Sequence, residues 1–247
     1  MEPDLISGQQ RPPASKWKRQ FQVIRHFWMD QFPDNDLYQG SLWFDWETRI
    51  RDGHEKEEQR ITKLAEKWDS RLTGEQKHHL PDDMFADDYW QNCQLTNVMS
   101  AALVTSLWSC TECFLKDLVG VCRRALNSNE NLSYQFKKNY QFKIIKQSFE
   151  REMGINLEQQ PNYPIIDAIR ILNNSFKHSE GYYLPEKNKP HTQIGKSYLD
   201  KWGILDRNDK IDYTKLPFRE LVQACNMFFQ SLLSAIENNL EELSYEL

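Results

Sequence analysis

The length, composition and charge of the chain exclude several classes of protein. Its 247 residues are enough for one large domain or two small ones, and 9 Gly are too few for a loop-rich all-β fold. A formal net charge of −5 argues against a protein that coats nucleic acid through bulk charge, while a local basic patch stays compatible with it. We therefore expect a mostly helical protein.

The cysteines and the hydropathy pattern indicate the compartment. Five Cys, an odd number, fit reduced thiols better than a disulfide framework. No apolar run approaches the roughly 18 residues of a membrane span, and the N-terminus lacks the pattern of a signal peptide. We expect a cytoplasmic protein without contact to a membrane.

Hydrophobic periodicity and helix-ending residues predict the elements in chain order. A loose arm over residues 1–14 precedes a helix that begins after Ser15 and ends at Pro33. Further helices are predicted over residues 42–72, 89–126, 133–153, 161–179 and 217–243. The middle of the helix over 89–126 is apolar on nearly all sides, which is typical of a central helix, and Gly154 is a candidate C′ glycine.

These elements predict an all-α fold with three parts. Residues 1–14 form a flexible arm, residues 15–84 an N-terminal helical extension, and residues 85–247 a helical bundle. Residues 181–215 are a long connection with one short helix, and long connections in bundles are often functional.

Two groups of residues have the composition of metal ligands, and each has a plainer explanation. Cys110-x-x-Cys113 is half of a zinc pattern, but it lies in the most apolar helix without a second pair. The second group is His78, His79, Asp82, Asp83, Asp87 and Asp88. Its acids are also what a helix N-terminus favours, so we predict no metal and no other cofactor.

The motifs of common enzymes are absent. The sequence contains no Gly-x-Ser-x-Gly, no phosphate-binding Gly loop and no His-Glu-x-x-His. Ordinary hydrolase, kinase and NTPase functions therefore have no support.

A basic stretch over residues 137–151 is a candidate nucleic-acid interface. Its candidate phosphate-binding residues are Lys137, Lys138, Lys143 and Lys146, and Tyr140, Phe142 and Phe149 are interleaved with them. Cations and aromatic rings together bind single-stranded nucleic acid by charge and stacking. The alternative is a solvated helix face whose aromatic rings lie in the core.

The segment Ile169–Gly181 carries the most specific local pattern. On a helical wheel Ile165, Ile169, Leu172 and Phe176 share one face, which predicts that this face packs inward. Asn174 and His178 are i, i+4 neighbours on the opposite face, together with Asp167 and Ile171, and Arg170 lies at its edge. An apolar Ile171 on this outward face predicts that a second subunit covers it.

Asn174-x-x-Lys177-His178-Ser179 resembles the HEPN superfamily, and the segment Leu107–Lys116 is similar to the HEPN helix that carries an acid, here Glu112. The resemblance implies an all-α bundle, often a dimer, and metal-independent ribonuclease activity in toxin–antitoxin and phage-defence systems. The family pattern is an Arg followed by a polar residue, with four to six residues between the Arg and a His. His178 matches the His and Asn174 the polar residue, whereas Asn173 stands in place of the Arg. Arg170 is the nearest alternative.

The resemblance implies a role for each candidate residue. His178 acts as general acid or base on RNA, Arg170 or Lys177 neutralises the phosphate, Asn174 orients it, and Glu112 positions a cation. We expect a homodimer of bacterial defence or toxin–antitoxin type that acts on RNA or nucleotides, with an antitoxin or other protein as partner.

Two alternatives stay open for the same residues. A HEPN-like scaffold would use the His178 face to bind a protein without catalysis, as Asn173 favours. In the second alternative, His178 only ends its helix, where the helix dipole favours a cation.

Overall fold

The described part of the chain is almost entirely helical. A computed structural model describes residues 19, 21–26, 42–74, 85–126, 142–183 and 197–245. These residues contain no strand, and the two antiparallel bridges among them, Tyr182 with Lys210 and Leu205 with Ile211, are isolated. The predicted all-α fold is confirmed.

Five long helices lie within the described residues. They are α1 (Leu42–Asp69), α2 (Ala86–Leu126), α3 (Phe142–Met153), α4 (Tyr163–His178) and α5 (Phe218–Tyr245). Residues 21–26 and 197–202 are also helical, and single 3-10 turns occupy Leu157–Gln159 and Tyr213–Lys215. The predicted helices are confirmed where they are described, while the arm over residues 1–14 lies outside the described residues.

Two helices end in backbone conformations that L side chains rarely adopt. Gly154 follows α3 with a φ of 67°, and its amide donates to the carbonyl of Glu150 at 3.1 Å. The C′ role predicted for Gly154 is therefore confirmed. At the end of α4, Glu180 and Gly181 have φ angles of 51° and 84°, and the Gly181 amide returns to the Ser175 carbonyl at 3.0 Å.

The chain divides into two compact units. Unit 1 comprises residues 1–38, 108–166 and 221–247, and unit 2 comprises residues 39–107 and 167–220. The predicted boundary between residues 84 and 85 stays a prediction. Three of the long helices, α2, α4 and α5, contribute residues to both units.

Unit 1 has an interior of aromatic and aliphatic side chains. Phe149, Phe228 and Leu115 are fully buried, and the rings of Phe228 and Phe229 meet edge to face with centroids 5.2 Å apart. Edge-to-face pairs of this kind add to the free energy of burying the rings. The side chain of Arg123 binds Glu152 through two nitrogens and thereby joins α2 to α3.

Unit 2 packs α1, the first half of α2, most of α4 and the segment 197–217. Tyr213 joins two of these parts, because its amide donates to Asn97 Oδ1 at 2.7 Å and its hydroxyl donates to the Leu172 carbonyl at 2.9 Å. Ile61, Ile169 and Leu172 are fully buried. The hydrogen bonds of Tyr213 therefore attach the long connection to the helices.

The first half of α2 is less enclosed than its apolar sequence predicts. Trp90, Leu95, Val98 and Met99 are exposed large apolar side chains, whereas residues 114–122 further along are mostly buried. The prediction of an enclosed helix concerned its middle, where Leu103, Val104, Leu107 and Trp108 are buried. Residues 86–123 are long and apolar enough to span a membrane, and 44% of their most apolar window is buried in the protein.

Candidate functional site

Neighbouring parts of the chain bury more than one face of α4. Of the predicted inward face, Ile169 and Leu172 are fully buried and Ile165 and Phe176 are half-buried, and Ile166 beside them is also fully buried. The opposite face was predicted to point outward, but Asp167 is 1% and Ile171 7% exposed. The prediction is therefore wrong for Asp167 and Ile171, whereas Asn174 is half-buried and His178 is exposed. A helical wheel shows which residues share a face and not how many faces the neighbouring elements cover.

Arg170 is engaged in a buried ion pair. Its Nε donates to Asp167 Oδ1 at 2.9 Å, and the two side chains are 14% and 2% exposed. The guanidinium thus reaches towards the start of α4. Seven residues lie between Arg170 and His178, and the eight positions from one to the other correspond to about 12 Å along a helix axis. Arg170 therefore binds a buried carboxylate, and the two candidates do not converge within one chain.

The two asparagines of α4 differ in exposure. Asn173 is 3% exposed, Asn174 is half-buried, and Asn173 Nδ2 donates to Asn174 Oδ1 at 3.2 Å. Asn173 occupies the place of the Arg in the HEPN pattern, and an Arg here would have to be buried among Ile166, Ile169 and Leu172. A small amide fits this place, since an unpaired buried cation is strongly unfavourable.

Exposed polar groups gather at the end of α4. Lys177 and His178 are exposed in its last turn. Tyr182 follows within one turn, is 38% exposed, and forms the isolated bridge with Lys210, whose Nζ lies 5.9 Å from the centre of the Tyr182 ring. We call Lys177, His178, Tyr182 and Lys210 the α4-end surface. Glu180, also exposed, is a negative charge beside it.

Two of these four residues, Tyr182 and Lys210, were not predicted from the sequence. Tyr182 is an aromatic residue directly after a helix-ending glycine, which is a usable signal for an exposed ring. Lys210 lies 28 residues further along and comes close because the Ile211 amide donates to the Gly181 carbonyl at 2.9 Å and the Tyr183 amide donates to the Asp209 carbonyl at 2.8 Å. No local pattern contains that contact.

The remaining candidates occupy unit 1. Glu112 lies on α2 and binds Lys116 Nζ at 3.0 Å. Lys146 binds Glu158 at 2.5 Å and lies 5.9 Å from the centre of the Phe142 ring, so it is held by its neighbours. Lys143 is exposed. Lys137 and Lys138 lie outside the described residues.

The candidate metal ligands do not form a site in the described part of the chain. His78, His79, Asp82 and Asp83 lie outside the described residues. Burial raises the pKa of the Cys110 thiol, and the same cause raises the pKa of Cys113. Within the described ranges, no group of three His, Cys, Asp or Glu side chains is placed to hold a metal ion.

Comparisons with known proteins add no relative. The chain matches no protein-family model, no curated protein and no solved structure.

Proposed function

We propose that this chain is a HEPN-like cytoplasmic protein of bacterial defence or toxin–antitoxin type that acts on RNA through the α4-end surface. The observation that carries the proposal is the exposure of Lys177 and His178 together, at the end of a helix that is otherwise enclosed. The HEPN-like pattern places its His at this position.

Each residue of the surface has a separate chemical role in the proposal. His178 is the general acid or base on the ribose 2′-hydroxyl or the leaving oxygen, since an imidazole serves both roles near neutral pH. Lys177 neutralises the phosphate. This role falls to Lys177 and not to Arg170, because Arg170 is bound to the buried Asp167.

Tyr182 and Lys210 extend the surface beyond the reacting phosphate. An exposed ring stacks on a base, and a lysine beside it attracts the phosphate backbone. The Lys210 ammonium already lies over the Tyr182 ring. Both side chains therefore support binding of single-stranded RNA next to His178.

The second candidate is a HEPN-like module that binds without cutting. It is favoured by the distance along α4 between Arg170 and His178 and by Asn173 in the place of the family's Arg. In this alternative the same surface binds a protein, such as an antitoxin. A homodimer is part of both candidates, although Ile171, which motivated it, is buried and gives no support.

Cleavage of labelled single-stranded RNA by the purified protein tests the proposal. We expect His178→Ala to lower the cleavage rate about 100-fold, since a general acid or base contributes about that much. His26→Ala, which removes another exposed histidine, is the matched control and leaves the rate unchanged. A chelator has no effect on the proposed metal-independent reaction.

The remaining outcomes separate the two candidates. Cleavage that survives His178→Ala points to a contaminating nuclease. RNA binding without cleavage, weakened by Lys177→Ala and not by Lys201→Ala, favours a non-catalytic RNA-binding module. Absence of both cleavage and binding overturns the RNA proposal and favours the protein-binding surface, and sedimentation of the protein at tens of micromolar tests the dimer.

A further inference from the structure

A cavity of about 400 Å³ opens in unit 2, apart from Lys177 and His178. It is lined by His54 of α1, by Gln94 and Asn97 of α2, and by residues of the segment 204–215. This volume falls within the range of about 300–1,000 Å³ that is usual for small-molecule sites. The cavity is large enough for an organic ligand.

The segment that closes the cavity is held in one conformation. Asp206 Oδ1 accepts hydrogen bonds from the amides of Asn208 and Lys210, each at 2.8 Å. Asp212 Oδ1 accepts from the amide of Thr214 at 3.1 Å, and Asn97 Oδ1 anchors Tyr213. A ligand would therefore meet a preformed wall and would not have to order it, which favours binding.

The charged groups of the cavity are unequally engaged. Asp206 is occupied by the two amides, and Asp212 also binds Lys215 Nζ at 3.1 Å. Lys210 has no carboxylate within ion-pair distance in the described part of the chain. The wall thus holds one acid paired with a lysine, a second acid, Asp206, that backbone amides hydrogen-bond, and one ammonium group, that of Lys210, outside any ion pair of the described residues.

The uncharged polar groups of the cavity also include a hydrogen-bond donor that has no acceptor among the described residues. Asn97 uses its oxygen for Tyr213, and among the described residues its Nδ2 has no acceptor. His54 is occupied, because Nδ1 meets Thr96 Oγ1 at 3.0 Å and Nε2 lies 3.4 Å from Glu58. Donors are therefore left over, while Ile204 and Ile211 supply apolar wall.

We propose that this cavity binds a small organic anion, a carboxylate or a phosphate monoester carried on an apolar body. Lys210 and Asn97 Nδ2 bind the acid group, and Ile204 and Ile211 contact the body. Charge-assisted hydrogen bonds from an ammonium group are the strong ones, so Lys210 dominates the affinity. The site goes beyond the proposed RNA function: it shares Lys210 with the α4-end surface but does not require Lys177 or His178.

Titration calorimetry with four matched probes tests the site on the full chain. Naphthyl phosphate and naphthoic acid combine an apolar body with the two possible acid groups. Naphthol lacks the acid group and inorganic phosphate lacks the body. We expect saturable binding of naphthyl phosphate, naphthoic acid or both, with naphthol and inorganic phosphate each at least about tenfold weaker. The stronger of the two acids identifies the head group.

Variants locate the binding. Asn97→Asp keeps an oxygen for the Tyr213 amide but replaces the donor by a negative charge, and we expect it to abolish binding. Lys210→Met weakens binding about tenfold or more. Lys201→Met is its control, because Lys201 also lies over a tyrosine ring, at 5.6 Å from the centre of Tyr198, and does not line the cavity. Gln91→Glu controls for an added charge on the exposed side of α2.

Two calorimetric results would overturn the proposal. Failure of both acids to bind at millimolar concentration overturns it, as does binding that both Asn97→Asp and Lys210→Met leave unchanged. If Asn97→Asp does not fold, the comparison of Lys210→Met with Lys201→Met decides. His178→Ala leaves the calorimetric binding unchanged, so failure of the RNA function and failure of this site are distinguishable.

Discussion

The interiors of unit 1 and unit 2 differ in the side chains that they bury. In the described part of unit 1, buried phenylalanines are prominent, namely Phe21, Phe114, Phe149, Phe228 and Phe229. Unit 2 buries more polar side chains, namely Asn92, Thr96, Asp167, Asn173 and Ser175, whereas the described part of unit 1 buries Thr111, Ser148 and Asn226. Buried polar groups cost free energy unless they are hydrogen-bonded.

This difference in buried side chains indicates that unit 1 contributes mainly stability, whereas unit 2 also contributes the candidate binding surfaces. The rings of unit 1 are an apolar core whose main effect is on the free energy of unfolding. In unit 2, polar contacts join its parts: Asn92 and Thr96 of α2 bind His54 of α1, and the Tyr213 hydroxyl donates to the Leu172 carbonyl of α4. Both the α4-end surface and the cavity lie in unit 2.

The largest expected effect is the removal of a ring from the interior of unit 1. Phe228→Ala removes a fully buried ring that contacts Tyr163 and Phe229. We expect the free energy of unfolding in urea to fall by about 3–5 kcal/mol. Met227→Ala, at the exposed neighbouring position, changes it by less than about 0.5 kcal/mol. Similar losses at both positions would contradict the packing described for unit 1.

In unit 2 the corresponding test is the buried ion pair of α4. Asp167→Ala leaves Arg170 without its carboxylate in a largely buried place, and we expect a loss of about 3 kcal/mol. The double variant Asp167→Leu with Arg170→Met recovers much of this loss, because a hydrophobic pair can replace a buried ion pair. Equal stability of the single and double variants would show that the pair does not hold α4.

Substitution of Arg170 in the same ion pair separates a role in stability from a role in RNA cleavage. Arg170→Ala is expected to lower the free energy of unfolding, and the fraction that stays folded keeps its RNA activity. A loss of RNA activity at full stability would return Arg170 to the phosphate role that the sequence suggested. Urea unfolding and the RNA assay on the same preparation measure both.

One buried titrating group in each unit makes stability fall at alkaline pH. Complete burial raises the pKa of the Cys225 thiol in unit 1 to about 12, and burial raises the pKa of the Tyr213 hydroxyl in unit 2 well above its ordinary value. The unfolded chain releases these protons first, so the stabilisation is complete below about pH 8.5 for the thiol and about pH 10 for the phenol. It is lost as the pH rises towards the folded pKa.

Variants assign this alkaline loss to the two groups. Each group contributes a slope of up to about 1.4 kcal/mol per pH unit to the free energy of unfolding. We expect Cys225→Ala to flatten the profile from about pH 8.5 upward and Tyr213→Phe to flatten it above about pH 10. Cys93→Ala, at an exposed thiol, leaves the profile unchanged. A profile that neither buried variant alters would contradict the role of burial.

The smallest expected effects concern the helix ends. Gly154→Ala strains a residue with a φ of 67° and lowers stability by about 1 kcal/mol, although its surroundings leave room for a methyl group. Glu180→Gly relieves a φ of 51° at the end of α4 and raises stability by about the same amount. Thermal unfolding of the two variants is expected to shift in opposite directions.

Much of the helical structure was predictable, because it depends on neighbouring residues. The periodicity of Ile165, Ile169 and Leu172, Gly154 after α3 and the start of α5 after Pro217 are local signals, and each lies where expected. A helix forms from contacts between residues three and four apart, so the sequence contains most of the information.

The tertiary structure decided which faces are buried and which distant residues meet. Ile171 and Asp167 share a wheel face with His178, yet only His178 is exposed, because neighbouring elements cover α4 for most of its length and leave its last turn. Lys210 reaches Tyr182 through a backbone hydrogen bond between Ile211 and Gly181, and Asn97 reaches Tyr213 across 116 positions. Such contacts depend on how the helices pack, and packing is set by the whole chain and not by any local pattern.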